Sequence, residues 1–460
     1  MKKNLKLLLM LVISVALVLA ACTPAAQPPA QQPAQQPAAG DAPAAGDAPP
    51  PAADGEPILF GHLAYHTGGF GFHGERFDVS VNLAIAEVNQ DPPLGRPVAP
   101  AWHVDVGTLG EGDAARQLVD AHGVHILYNP AGQYGTYRQW ILEHVAANDG
   151  PLMPSIHGGA VPDKYGGTAL EPLFRGEPQT SEMAMAMLLD FYDMGGRTLI
   201  IIASDREEMM QQRAYTLEAA ELLGIEVMDV IIIQPGETSY RAEAARVVMH
   251  NPDGVIQFSH ASCSGVFLSN ATELGATDML WYVETNSAFM PFLSAATIEA
   301  INAQRAVRWP TIAVQDNPAW AHFSAIWYAH WGPDNAADNP AHNYYVTSSW
   351  DILMLTFLAI EKAGSLYASD WVPAMYAIAA PGGEVVYTYL DGIRALREGR
   401  EIQYVGVVGT LDFTNTGTIN MDWVLGSWNP DGTPNYDGPI ITRQRQNEII
   451  SQLTTPWCWC

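Results

Sequence analysis

Short apolar runs alternate with longer amphipathic stretches through most of the chain. The runs at 58–65, 102–107, 124–128 and 152–156 have strand length. The stretches 77–90, 113–122 and 136–148 repeat apolar residues at helical spacing. After RGEPQTS a second series begins, with strands at 198–204, 226–233, 254–259 and 279–283 and helices at 182–194, 207–223, 240–250 and 264–274. Strands alternating with helices build parallel sheets covered on both faces, so two series predict an α/β protein of two doubly wound, Rossmann-like lobes. The later part starts no third series. Its helices at 350–362 and 384–398, its apolar run at 371–380 and its strand-like runs at 406–413 and 421–428 read as returns to the two existing sheets. In such sheets a ligand sits beyond the carboxyl ends of the strands, here in the cleft between lobes.

The amino-terminal segment breaks this pattern. Three lysines within residues 1–6 precede an apolar stretch at 7–20 and then Leu19-Ala20-Ala21-Cys22. The order charged, apolar, small, cysteine resembles a bacterial lipoprotein signal, with 1–21 removed and Cys22 lipidated. Residues 22–56 are almost wholly Pro, Ala, Gln, Gly and Asp, a composition that buries no core and reads as an extended, disordered tether. The expectation is an extracytoplasmic protein anchored to the membrane by its lipid. A formal net charge of −27 argues against nucleic acid as a partner. Besides Cys22, the cysteines are Cys263, Cys458 and Cys460, which make no metal spacing and no disulfide framework.

The stretch YHTGGFGFHGE carries Gly69, Gly71 and Gly74 in GxGxxG order between a strand and a helix, the setting of a dinucleotide fingerprint. Such a site needs an acid about 20 residues further on. Position 94 is leucine, and the strand-end acid, Asp105, comes 31 residues after Gly74, so no nucleotide cofactor is assigned. There is no G-x-S-x-G elbow and no HExxH, and no acid pair stands out, so no enzymatic activity is expected. His62, His66 and His73 are close in sequence and imidazole suits zinc. However, His62 lies within a strand and no nearby cysteine or carboxylate completes a spacing. No metal is assigned.

The order of segments resembles the type I periplasmic binding proteins of branched-chain amino-acid ABC importers. The resemblance runs from HLAYHTGGFGFHGERFDVSVNLAIAEVN through VDVGTLGEGDAARQLVDAHGVHILYNP, PLMPSIHGGAVP and IIASDREEMMQQRAYTLEAAELLGIEVMDVIII. It continues to DGVIQFSHASCSGVFLSNATELGA and GTLDFTNTGTINMDWVLGSWNPDGT. It implies two lobes joined by three crossover strands, near Gly176, Val314 and Gly406. The first lobe then comprises 57–176 and 315–405, the second 177–314 and 406–435, and 436–460 forms a carboxyl-terminal tail. It implies a non-catalytic receptor that closes on a small polar solute and presents it to the transmembrane subunits of an ABC permease. A sensory ligand-binding lipoprotein is the alternative.

The resemblance also implies site residues. His73 stands where the family has an aromatic, and Gln133 or Tyr134 would supply the donor of the second loop. His157, Gly158 and Gly159 replace a loop that normally adds a threonine hydroxyl to backbone N–H groups. Met209 replaces a tyrosine, and His260 an aromatic of the cleft. Glu284, in LWYVETN, falls where the family places the acid that holds the ligand's ammonium group. Two histidines, a methionine and an acid without paired hydroxyls suggest a cargo other than a simple aliphatic amino acid.

Overall fold

The computed structural model describes residues 55–68, 71–156, 164–276, 278–284, 293–304, 307–312, 316–335, 339, 341–428 and 434–454. The leader, Cys22, most of the tether, His157, Gly158, Gly159, Val314, Cys458 and Cys460 lie outside these residues.

The first series forms β1 (Phe60–Ala64), α1 (Gly74–Val88), β2 (Trp102–Asp105), α2 (Glu111–Arg116), β3 (Ile126–Tyr128), α3 (Tyr134–Asn148), β4 (Met153–Ser155) and β5 (Leu173–Arg175). Strands β2, β1 and β3 pair in parallel in that order, a parallel bridge between Ile126 and Leu152 leads on to β4, and β4 pairs in parallel with β5.

The second series forms α4 (Thr180–Asp193), β6 (Thr198–Ser204), α5 (Glu207–Leu222), β7 (Glu226–Ile233), α6 (Arg241–His250), β8 (Gly254–Phe258), α7 (Ala261–Glu273), β9 (Leu280–Val283), α8 (Ala295–Gln304) and β10 (Val307–Ile312). Strands β7, β6, β8, β9 and β10 are parallel neighbours. The run Leu199–Ser204 is buried on both faces, which is why it reads as continuously apolar and not as alternating.

The remaining chain supplies α9 (Pro318–Trp331), α10 (Tyr344–Ala363), α11 (Ala368–Ala379), β11 (Glu384–Val386), α12 (Tyr389–Arg397), β12 (Ile402–Gly406), β13 (Gly409–Thr410), β14 (Trp423–Trp428), β15 (Pro434–Asn435), β16 (Ile440–Ile441) and α13 (Arg443–Ile450). One return is as expected: β14 joins the second sheet, antiparallel to β10. The helix expected over 384–398 instead begins as β11, paired with β12, because Glu384-Val385-Val386 is strand-forming and Thr388 caps the helix that follows by accepting from Asp391 N–H. The segment expected as a tail is also ordered in part: β16 pairs with β14, and α13 packs on α4 with Arg445 paired to Asp193.

The main hydrophobic core is continuous across both series, from Phe60 and Val81 through Ile352 and Leu358 to Ile201 and Tyr282. Helix α10 lies at its centre. Ser349 on this helix receives hydrogen bonds from Tyr128 (2.6 Å) and Ser80 (3.1 Å). Asp351 accepts the N–H groups of Val407 and Val408, both at 2.9 Å, and the Tyr404 hydroxyl at 3.1 Å. Gly176 and Gly406 back onto the same helix. A Cβ on Gly406 would lie 2.3 Å from the Asp351 carboxylate, and one on Gly176 would lie 2.9 Å from the Ser348 carbonyl oxygen. Asn317 donates to the Gly406 carbonyl at 2.9 Å. No single helix among the described residues is long and apolar enough to cross a membrane.

Candidate functional site

The turn after β1 is held from within. Asp105, at the end of β2, accepts the N–H groups of His66 (3.0 Å) and Thr67 (3.1 Å) and the hydroxyls of Thr67 (2.6 Å) and Thr108 (2.5 Å). Burial works against its charge, but these hydroxyls and N–H groups hold its carboxyl well below the usual carboxylate range. The glycines serve the turn's own backbone. A Cβ on Gly74 would lie 2.3 Å from the Tyr65 carbonyl oxygen, one on Gly71 would lie 2.9 Å from that of His66, and Gly68 has φ +80°. His73 caps α1 and is 4% exposed, with its ring stacked on Phe77 (centroids 5.5 Å apart) and edge-on to Tyr345 (5.0 Å). The imidazole thus sits among aromatics.

At the carboxyl end of the second sheet, Glu284 follows β9 and is 8% exposed. Its N–H donates to the Gln257 carbonyl at 3.2 Å, and its carboxylate accepts from Gln212 Nε2 on α5 at 3.0 Å. Gln212 is wholly buried, and its Oε1 has no hydrogen-bond partner among the described residues. Strand alternation puts Gln257 on the opposite face, where its Nε2 donates to Ser259 at 3.0 Å and Ser259 Oγ pairs with Ser264 Oγ at 2.8 Å. The Gln257 Oε1 is likewise buried without a partner among the described residues. Each amide therefore keeps a buried acceptor unspent, Gln212 on α5 beside Glu284 and Gln257 near the end of β8 on the other face of the sheet.

Beneath this end, Tyr282 donates to Asp190 at 2.7 Å, and Arg308 Nη1 donates to both Asp190 oxygens at 2.9 and 2.7 Å. Burial and the Asp190 charge push the Tyr282 phenol far up, so it remains a donor. This network ties α4 to β9 and β10, fixing the strand that carries Glu284.

The other candidates are placed less alike. Met209 is 4% exposed and belongs to the main core, whereas His260 caps α7 at the end of β8 and is half-buried. Gln133 is exposed at the start of α3 and its Oε1 accepts from Glu111 N–H at 3.1 Å. Tyr134 is fully buried in a first-lobe core, with its hydroxyl donated to Glu171 at 2.8 Å, so it is spent on structure. Gln212 escaped the sequence reading because its pairing with Glu284 joins residues far apart in the chain, and Gln257 because only its backbone carbonyl meets Glu284, across neighbouring strands.

Against this geometry stands a family match over residues 57–433, to the periplasmic binding proteins. The chain belongs to that family, and its fold is that of the type I members that serve ABC transporters. Solved structures agree in fold. A leucine-binding protein from Thermotoga maritima has 15% identity and a TM-score of 0.66, with 84% of this chain and 99% of that one covered. A solute-binding protein from R. palustris in complex with 4-hydroxybenzoate has 13% identity and a TM-score of 0.66, with 86% and 100% covered. A fatty acid ABC transporter substrate-binding protein from Thermomonospora curvata has 16% identity and a TM-score of 0.60, with 87% and 95% covered. No curated protein matches the sequence significantly. The fold thus carries amino acids, aromatic acids and fatty acids in different hands, and only the site's own chemistry bears on cargo.

Proposed function

We propose that this chain is the extracytoplasmic, lipid-anchored receptor of an ABC importer. It captures a small polar solute with an ammonium or other N–H donor group by closure of its two lobes, and delivers it to the permease. The observation that carries this reading is Glu284, a buried carboxylate at a strand end, beside which the Gln212 amide oxygen has no partner among the described residues. A carboxylate and an amide oxygen together suit a cation or a multiple N–H donor and would repel an anionic group. His73 and His260 add rings to the two lobes, and the contacts of Gly176, Asn317 and Gly406 around α10 suit segments that flex as the lobes close.

The test is to screen amino acids, amides and polyamines by thermal shift and then to measure the best ligand by calorimetry. The reading expects Glu284→Ala to weaken binding severely with the fold intact. Wild-type affinity in that variant would place the site elsewhere. Labelled-solute uptake lost on deletion of the gene would support delivery to a permease, and unaffected uptake would favour the sensory alternative.

A further inference from the structure

Parallel pairing of β1 with β2 sets His62 opposite His103, so both side chains leave the same face of the sheet edge. Helix α1 lays Asp78 over them. His62 Nδ1 lies 2.9 Å from His103 Nδ1, His103 Nδ1 lies 2.9 Å from Asp78 Oδ1, and His62 Nδ1 lies 3.3 Å from the same oxygen. Three ligand-type atoms from three elements thus form a closed triangle, with His62 fully buried and the other two side chains 19% and 24% exposed.

Hydrogen bonds alone satisfy this triangle poorly. If both rings carry a proton on Nδ1 and point it at Asp78, two donors face each other at 2.9 Å. If one Nδ1 is bare and accepts from the other, its lone pair confronts the carboxylate. Asp78 Oδ1 is in fact buried without a hydrogen bond of acceptable angle to either ring. His103 Nε2 lies 3.4 Å from Asn82 Oδ1, an acceptor, which favours the proton on Nε2 and leaves His103 Nδ1 bare toward the triangle. A cation among the three atoms turns every one of these contacts favourable. Tetrahedral zinc, with bonds of about 2.0–2.1 Å, places neighbouring ligand atoms roughly 3.3 Å apart, close to the spacing here. The other carboxylate oxygen, Asp78 Oδ2, is held by His66 Nε2 at 2.6 Å, an outer partner that orients the ligand.

We propose that His62, His103 and Asp78 form a binding site for a zinc-class divalent cation, with His66 as the positioning residue behind the carboxylate. The site has a structural consequence. His66 comes from the turn after β1 and Asp78 from α1, so a bound ion locks that turn onto the helix capped by His73. The ion is a clamp on the first-lobe wall and not the transported solute, and the proposal stands independently of what the cleft binds.

The experiment is zinc binding to the purified full chain after chelation. It is read as metal content by mass spectrometry and as affinity by competition with a chromophoric chelator, with cobalt as a visible-absorption probe of geometry. The expected result is one zinc per chain, four-coordinate cobalt bands and a zinc-dependent rise in Tm. His103→Ala and the isosteric Asp78→Asn should each weaken zinc by more than the roughly ten- to hundredfold that loss of an outer partner costs. Glu284→Ala should bind zinc as the wild type does, which separates this site from the cleft. No stoichiometric binding by the wild type, or wild-type affinity in Asp78→Asn and His103→Ala, would overturn the proposal.

Discussion

At the carboxyl end of the first-lobe sheet the polar groups are imidazoles and carboxylates locked onto one another, His66 onto Asp78 and the turn onto Asp105. At the corresponding end of the second lobe one amide meets the Glu284 carboxylate on one face of the sheet, an amide and two hydroxyls pair on the other, and two amide oxygens have no partner among the described residues. The first wall spends its hydrogen-bonding capacity on holding a glycine-rich turn and the aromatic nest of His73. The second keeps two amide acceptors unspent, one on α5 and one near the end of β8. On the function proposed above, shape would be set mainly by the first lobe and polar recognition mainly by the second.

The sharpest way to strain this comparison is to remove the support of the second wall. Asp190→Ala strands the largely buried Arg308 guanidinium, and breaking such a pair costs about 3–5 kcal/mol. Chemical denaturation should show that loss, while calorimetry on the folded fraction should show a smaller change in solute affinity. Next comes Glu284→Ala. Truncating one partner of a buried charge pair costs about 2–5 kcal/mol, roughly thirty-fold to several-thousand-fold in Kd, with little effect on Tm. If His73→Ala cost more affinity than Glu284→Ala, recognition would belong to the first wall instead.

A smaller effect tests the Asp351 anchor on α10. Burial pushes the Asp351 carboxyl up to about 7, against the Val408 and Val407 N–H groups and the Tyr404 hydroxyl, which favour its charge. The folded state then keeps a proton that the unfolded chain releases at ordinary carboxylate pH, so stability from this group falls as pH rises toward 7 and is flat above. Denaturation at several pH values should show Asp351→Asn losing that slope. The smallest effect concerns His322, whose hydrogen bond to Glu87 raises its pKa. Its contribution, about 1 kcal/mol or less, is full below the unfolded histidine pKa and is lost as pH rises through the higher folded value. His322→Gln should therefore be measurably destabilising at pH 5.5 and nearly neutral at pH 9.

Much of the fold was legible because its signals are local. The runs 198–204 and 226–233 are the observed strands β6 and β7 to the residue. What was missed has physical reasons. Strand β5 is three residues long and β10 contains Pro310, so neither gives a clear period. Helix α9 carried a usable signal, Asn317 as N-cap followed by Pro318, which the aromatic-rich run after it obscured. Helix α10 begins at Tyr344, inside a β-branched and aromatic run that reads as extended, because Asn343 caps it by accepting from Tyr345 N–H. Of the proposed site, only the place of Glu284 just past a strand end could be read from the chain. Gln212, Gln257 and the His62–Asp78–His103 triangle depend on which elements become neighbours, and His103 reaches His62 only through strand register.

The most direct measurement is mass spectrometry of the small molecule that copurifies with the wild-type chain and with Glu284→Ala. The account predicts a solute bearing an ammonium or N–H donor group, retained by the wild type and absent from the variant. A cargo with no N–H donor, retained equally by both, would contradict it.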